Sequence, residues 1–129
     1  MITDPTADFL IRIKNGYLAR RQEVEIPYSR QKFALCQILK EQGKIGNFSK
    51  TQVNKPIIKI KLKYIENQPP FSKIKIFSKP GQRIYWRVAD LVKKRKMAGI
   101  IIISTSAGLK TLSAAIKEKL GGEVICQIE

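Results

Sequence analysis

Ser104, Thr105 and Ser106 place three hydroxyls in a row, with Ala107-Gly108 after them and the apolar run Ile100 to Ile103 before them. The pattern predicts a buried strand that ends in a hydroxyl-rich loop, with a helix beginning there. Hydroxyls and free backbone N–H groups at such a helix start can hold a phosphate or a base edge. Ser and Thr also cap helices routinely. Both uses stay open, although three hydroxyls exceed what one cap needs. Acid–base chemistry is excluded on other grounds. The chain has no histidine, so a serine or cysteine nucleophile lacks its usual base. Asp4 and Asp8 could pair carboxylates on one helical turn, but acids in a first turn ordinarily complement the helix N-terminus. Cys126 sits in an apolar alternating run and reads as packed, not reactive. Neither GxxxxGK[ST] nor GxGxxG occurs. No catalysis, cofactor or metal is expected.

A second constellation is Lys79-Pro80-Gly81-Gln82-Arg83-Ile84-Tyr85-Trp86. A rigid turn there carries two cations beside two aromatics, which suits phosphate contact plus base stacking. An ordinary hairpin with core aromatics is the competing reading. Strand alternation puts Tyr85 and Trp86 on opposite faces, and Tyr85 is the one expected outside. A third is the run Lys59, Lys61, Lys63, alternating with Ile58, Ile60, Leu62 and Tyr64. It is a half-buried strand whose basic face serves either solubility or phosphate contact. Lys93 to Lys96 is a short basic run of the kind that is usually solvated.

Composition fits these readings. The 129 residues have a hydrophobic share of 43%, enough for a folded core. Lys and Arg number 25 against 10 Asp and Glu, a net charge of +15. Residues 1–66 carry 13 basic and 6 acidic side chains, and residues 67–129 carry 12 and 4. Charge spread through folded sequence predicts a polyanionic partner, nucleic acid first. No run approaches a membrane span, and Met1 to Pro5 has no signal-like character. Cys36 and Cys126 lie too far apart to propose a zinc site, and both are expected reduced and buried in an intracellular protein.

The elements that position these residues follow from periodicity. Asp4-Pro5 predicts a helix start, and Phe9, Leu10, Ile13 and Tyr17 mark its apolar face, with Asn15-Gly16 as a weak point or end. Glu23 to Ile26 alternates as a strand stopped by Pro27. Ser29 caps a second helix through Phe33, Leu35, Cys36, Ile38 and Leu39, and Gly43 ends it. Lys44 to Val53 supplies a short strand and a turn before the Ile58 strand. The first module, 1–66, thus reads α-β-α-β-β, and Asn67-Gln68-Pro69-Pro70 opens a linker over 67–72. In the second module, 73–129, Lys73 to Phe77 alternates, Ser78 to Gly81 turns, and Ile84 to Trp86 returns as a strand. Leu109, Leu112 and Ile116 mark one short helix. Gly121-Gly122 breaks it before a last strand through Val124, Cys126 and Ile128. The fold class expected is α+β, two small packed modules, the second mostly β with one short helix.

These motifs, in order and at these separations, resemble small-subunit ribosomal protein eight of the bacterial and organellar type. The resemblance rests on Thr3-Asp4-Pro5, Ala7-Asp8 and Arg12 to Asn15, then on Pro27, Ser29-Arg30 and Leu39 to Gly43. It continues through Ser78 to Tyr85, Ser104 to Gly108 and Gly121 to Cys126. It implies a structural constituent of the small ribosomal subunit. Such a protein binds a helix of the central domain of the small-subunit rRNA and helps assemble the platform. The alternative role is translational repression through an mRNA mimic of that site, with its own operon mRNA as partner. Carried onto this sequence, the RNA-binding residues are Ser104, Thr105, Ser106, Gly108, Lys79, Arg83, Tyr85, Gly122 and Glu123. Phosphate contacts come from Lys55, Lys59 and Lys61 of the first module. Neighbouring small-subunit proteins are further partners, and the location is a cytoplasmic or organellar ribosome. The chain departs from the family pattern at Leu109 to Ala115, where acids are lost and Lys110 is gained. It also departs at Gln127, where the family has an aromatic, and in the unusually basic Lys93 to Lys96. These departures point to a divergent lineage.

Overall fold

Phe9, Leu10, Ile13 and Tyr17 recur on one helical face, and all four are buried. They belong to α1 (Pro5–Leu18), which opens the computed structural model. Residues 5–52 and 54–129 are described. Asp4, expected as a cap, and Val53, expected in a turn, lie outside them. The chain divides into two units, residues 5–72 and residues 73–129.

In the first unit, α1 runs through Asn15-Gly16 rather than ending there. The reason is a close approach of helix to strand. A Cβ on Gly16 would stand 2.7 Å from Val24 Cγ1 and 3.1 Å from Leu62 Cδ1. The helix ends two residues later, where Arg20 takes the left-handed conformation (φ 57). There the Arg21 N–H donates to the Gly16 carbonyl at 3.0 Å and the Arg20 N–H to the Tyr17 carbonyl at 3.1 Å, a Schellman closure. β1 (Glu23–Pro27) comes next. Ser29 then caps α2 (Arg30–Glu41), accepting from the Lys32 N–H, and Gly43 (φ 74) closes it in the same way. β2 (Phe48–Thr51) and β3 (Ile57–Lys61) complete an antiparallel sheet in the order β1-β3-β2. Ile26, Ile58 and Ile60 are buried on one sheet face. The predicted α-β-α-β-β order is observed.

β3 stops at Lys61, short of the alternation expected through Tyr64. Buried Tyr17 captures the chain just beyond the strand. Its hydroxyl donates to the Lys44 carbonyl at 2.7 Å and accepts from the Lys63 N–H at 3.0 Å. Burial raises its pKa, against a smaller lowering by the Lys63 N–H. Tyr64 and Phe71 both pack edge-on against the same ring. Residues 67–72, read as a linker, therefore lie within the first unit. Glu66 and Asn67 (φ 50 and 64) form a two-residue turn closed by reciprocal bonds between Ile65 and Gln68. Phe71 is buried beyond it.

The second unit is a five-stranded antiparallel sheet: β4 (Ile74–Ile76), β5 (Tyr85–Trp86), β6 (Ile100–Thr105), β7 (Gly108–Thr111) and β8 (Gly122–Ile128). β8 is central. It pairs with β6 on one edge and with β4 and then β5 on the other. It is buried from Val124 to Ile128, apolar throughout except for Gln127. Helices α3 (Val88–Lys94) and α4 (Leu112–Lys117) cover one face. Their Leu91, Leu112 and Ala115 pack with Ile101, Ile103 and Val124.

Two expectations for this unit change. It has two helices, not one, because α3 leaves little trace in the sequence. The Asp90 carboxylate accepts from the Arg87 N–H at 3.0 Å, half of a capping box, and this acid is the available signal. The hydroxyl-rich segment is also not a helix start, because Gly108 begins a strand there and α4 starts only at Leu112.

Lys119, exposed, closes α4 with a left-handed φ of 57, a conformation that costs a non-glycine residue about 1 kcal/mol. Lys119→Gly is expected to stabilise the fold by no more than ~0.5 kcal/mol in urea denaturation, after glycine's own entropic penalty. The two cysteines give a pH prediction. Burial pushes the Cys36 and Cys126 thiols up to about 12, whereas an unfolded thiol ionises near ~8.5. The fold thus favours the neutral thiol. That stability is complete below the unfolded value and is lost as pH climbs towards 12. Thermal melts between pH 8 and 11 should fall less steeply in a Cys36→Ala/Cys126→Ala variant than in the native chain.

Candidate nucleic-acid interface

At the start of β8, Glu123 lies between two cross-strand neighbours, Tyr85 of β5 and Ser104 of β6. Directly paired residues share a sheet face, so Tyr85, Glu123 and Ser104 form one row. Tyr85 is 69% exposed. Trp86 turns to the other face and packs on the helix-covered core, as alternation predicts. The Arg83 guanidinium reaches the Glu123 carboxylate at 3.3 Å. This half-exposed pair adds little stability, but it fixes where the guanidinium sits.

Arg83 and Lys79 stand on an excursion that the sheet itself creates. β4 and β5 use the same edge of β8, so the chain between them leaves the sheet. The Phe77 N–H bonds to the Ile125 carbonyl, and the Val124 N–H to the Ile84 carbonyl, at the two ends of the loop. Buried Ser78 ties its neck. The Ser78 hydroxyl accepts from the Ile84 N–H at 3.0 Å and donates to the Ile84 carbonyl at 3.3 Å. The tip is the expected Pro80-Gly81 turn, with Gly81 at φ 84 and reciprocal Lys79–Gln82 bonds. Trp86 and Tyr85 do not return onto β4 as a hairpin, because β8 takes them. Ser78 is the residue that motifs alone do not reveal. A hydroxyl just before a Pro-Gly turn is its only sequence signal.

The hydroxyl segment is a β-hairpin. Ser104 and Thr105 end β6, Ser106-Ala107 forms the connection, and Gly108 begins β7 at φ 107. The Thr105 hydroxyl donates to the Gly108 carbonyl at 2.7 Å and accepts from the Ala107 N–H at 3.1 Å. Thr105 therefore serves the turn itself. The Ser104 and Ser106 hydroxyls have no hydrogen-bond partner among the described residues, and Ser106 is exposed. The helix begins at Leu112, where the Thr111 hydroxyl accepts from the Ala114 N–H. The helix-terminus anion site expected at Ser104–Gly108 is thus absent, because Gly108 turns the chain back to pair with β6.

Gly122 brings the two strands together at this row. A Cβ there would stand 2.1 Å from the Ser104 carbonyl oxygen. At Gly121 a Cβ would stand 2.7 Å from the Trp86 carbonyl oxygen. The fold thus gathers Lys79, Arg83, Tyr85, Ser104, Thr105, Ser106, Gly108, Gly122 and Glu123 in the second unit. Lys55, Lys59 and Lys61 belong to the first unit. Exposed Lys55 lies in the turn before β3. The β3 face is basic alone but mixed in the sheet, since Glu23 and Glu25 stand opposite Lys61 and Lys59. Lys59 Nζ is 3.9 Å from Glu25.

The departures from the family pattern have internal partners in two cases. Lys110 pairs with Glu118 of α4 at 3.4 Å. Gln127 is buried and donates to the Ala98 carbonyl at 2.7 Å. No cluster of metal-ligating side chains exists among the described residues. Both thiols are free and buried.

Two α+β units of this composition, with a cationic, hydroxyl- and aromatic-lined sheet end, define a small basic protein of the nucleic-acid-binding kind. The chain belongs to the ribosomal protein S8 family, whose pattern it matches over residues 4–128. It is a structural protein of the small ribosomal subunit and not an enzyme. It is 44% identical to small ribosomal subunit protein uS8 of Persephonella marina over 99% of each chain. It is 43% identical to that of Shewanella loihica, over 97% of this chain and 96% of the other. It is 40% identical to that of Wigglesworthia glossinidia brevipalpis, over 98% and 97%.

Gly122→Ala is expected to destabilise the protein by ~1–3 kcal/mol, since a backbone oxygen must move. Ser78→Ala should cost a similar ~1–3 kcal/mol by orphaning the Ile84 N–H. Gly81→Ala meets no atom within 4 Å and should cost only its conformational strain, about 1 kcal/mol. Urea denaturation of the three variants ranks them.

Proposed function

We propose that this protein binds small-subunit rRNA directly, at an internally looped helix of the central domain, and that this contact helps assemble the platform. One observation carries the reading. The Tyr85–Glu123–Ser104 row and the neighbouring hairpin present an exposed ring and two unpartnered hydroxyls beside Arg83, whose loop also carries Lys79, on a chain of net charge +15. An A-form helix hides its base edges in a narrow major groove, so specific readout needs a distorted site with unstacked bases and accessible 2′-hydroxyls. Tyr85 offers a surface on which a base stacks. Ser104 and Ser106 are short enough for hydrogen bonds to base edges or 2′-hydroxyls.

Thr105 and Gly108 shape the hairpin, Gly122 allows close backbone approach, and Glu123 orients Arg83. Lys79, Arg83, Lys55, Lys59 and Lys61 supply phosphate contacts and the salt-dependent part of the affinity. The remaining partners are neighbouring proteins of the subunit. No described helix is long and apolar enough to cross a membrane.

The test is a titration at two salt concentrations, with a central-domain rRNA helix and a scrambled hairpin of equal length. A preference of ~10³ that persists at higher salt is expected; equal affinities that collapse together would refute specific recognition. Ser106→Ala and Tyr85→Ala should each lower specific affinity by ~1–3 kcal/mol while non-specific binding barely changes. Lys61→Ala should weaken both modes alike and make the salt slope shallower.

A further inference from the structure

The most concentrated positive charge in the second unit lies away from the Tyr85–Glu123–Ser104 row. Lys93 and Lys94 end α3, and Arg95 and Lys96 come directly after. All four are exposed, and none takes part in an ion pair among the described residues. The lone acid of α3, Asp90, is committed to the Arg87 N–H. α4 packs beside α3. It adds Lys117 and the adjoining Lys119, while Glu118 is taken by Lys110. Lys94 Nζ lies 5.5 Å from the centre of the Trp86 ring.

Position on the sheet separates this patch from the proposed rRNA site. Leu91 of α3 packs on Ile101 and Ile103. Ser104, by strand alternation from Ile103, faces the other way, and so do its row partners Glu123 and Tyr85. α3 therefore covers the sheet face opposite the row. One RNA helix docked against Ser104 and Tyr85 does not lie on α3 as well.

We propose that the basic end of α3, Lys93 to Lys96, is a second RNA-contact surface that grips the phosphates of a separate RNA segment without reading its sequence. Helix-end carbonyls hold cations favourably. Four unpaired cations set against committed acids suit a densely charged backbone. A protein partner is disfavoured, because stable protein interfaces need an apolar, aromatic-rich centre, and Val92 is the one large exposed hydrophobic of α3. The inference rests on the proposed rRNA binding only for the identity of the first RNA.

The experiment saturates the full-length protein with the central-domain rRNA hairpin, then titrates in an unrelated 20-base-pair RNA duplex at low salt. Formation of a ternary complex is expected. A Lys93→Gln/Lys94→Gln/Arg95→Gln/Lys96→Gln variant should lose ~10-fold or more in duplex affinity while holding the hairpin within about two-fold. A control with the same charge loss on the first unit, Arg30→Gln/Lys32→Gln/Lys40→Gln/Lys50→Gln, should lose much less duplex affinity. Equal duplex losses in both variants would mean diffuse charge and overturn the proposal. A parallel loss of hairpin affinity would assign the patch to the first site and overturn it too. Polyglutamate displacing the duplex at equal charge would assign the surface to an acidic protein. If the hairpin does not bind at all, the rRNA reading fails. The duplex titration on the free protein then still decides for or against α3.

Discussion

A side chain at position 122 would force two backbones apart, and the second unit is organised around that close approach. Any Cβ there meets the Ser104 carbonyl oxygen at 2.1 Å. Because the backbones approach so closely, β8 stays in register with β6 and carries Glu123 up beside Ser104. The same register sets Tyr85 on the far side of Glu123. A slip of β8 by one residue would turn Glu123 to the opposite face and break the row. The row is thus a consequence of backbone spacing before it is a matter of side chains, and its rigidity comes from the most buried strand of the sheet.

The two cations of the loop between β4 and β5 are held at different distances from that strand. Arg83 is held by a carboxylate of β8 itself. Lys79 is held only through a Pro-Gly turn, whose neck is tied by buried Ser78. Thr105 looks from sequence like the equal of its neighbours, but its hydroxyl is absorbed by the turn, leaving Ser104 and Ser106 as outward groups. The first unit manages its lysines otherwise. Glutamates across β1 partly balance Lys59 and Lys61.

What the sequence discloses depends on whether the information is local. Helical spacing at Phe9 to Tyr17, the Ser29 cap, the Gly43 stop and the Pro80-Gly81 turn are decided within a few residues, and periodicity finds them. The opposite faces of Tyr85 and Trp86 need only the strand period. The hydroxyl segment misleads because Ser, Thr and Gly serve helix starts and hairpin turns equally well. The pairing of β6 with β7 decides between them, and α4 begins only after Thr111. α3 escapes notice because a few turns of helix leading into a basic run leave a weak apolar stripe. The partner of β5 is invisible in principle, since β8 lies far along the chain. Asn15-Gly16 reads as a helix end because the strand that needs the glycine is not part of the helix.

The centrality of β8 also has a temporal side. The first unit is built from one continuous early stretch, 5–72, and can close as soon as that stretch has emerged. The second cannot. β4, β5, β6 and β7 are all synthesised before the strand that three of them pair with. Until 122–128 arrives, β6 and β7 can form only their local hairpin, and the edges of β4 and β6 lie open. Nascent chains fold domain by domain, and open edges invite pairing with other chains. During synthesis, then, this protein passes through a period with one finished unit and one unprotected sheet.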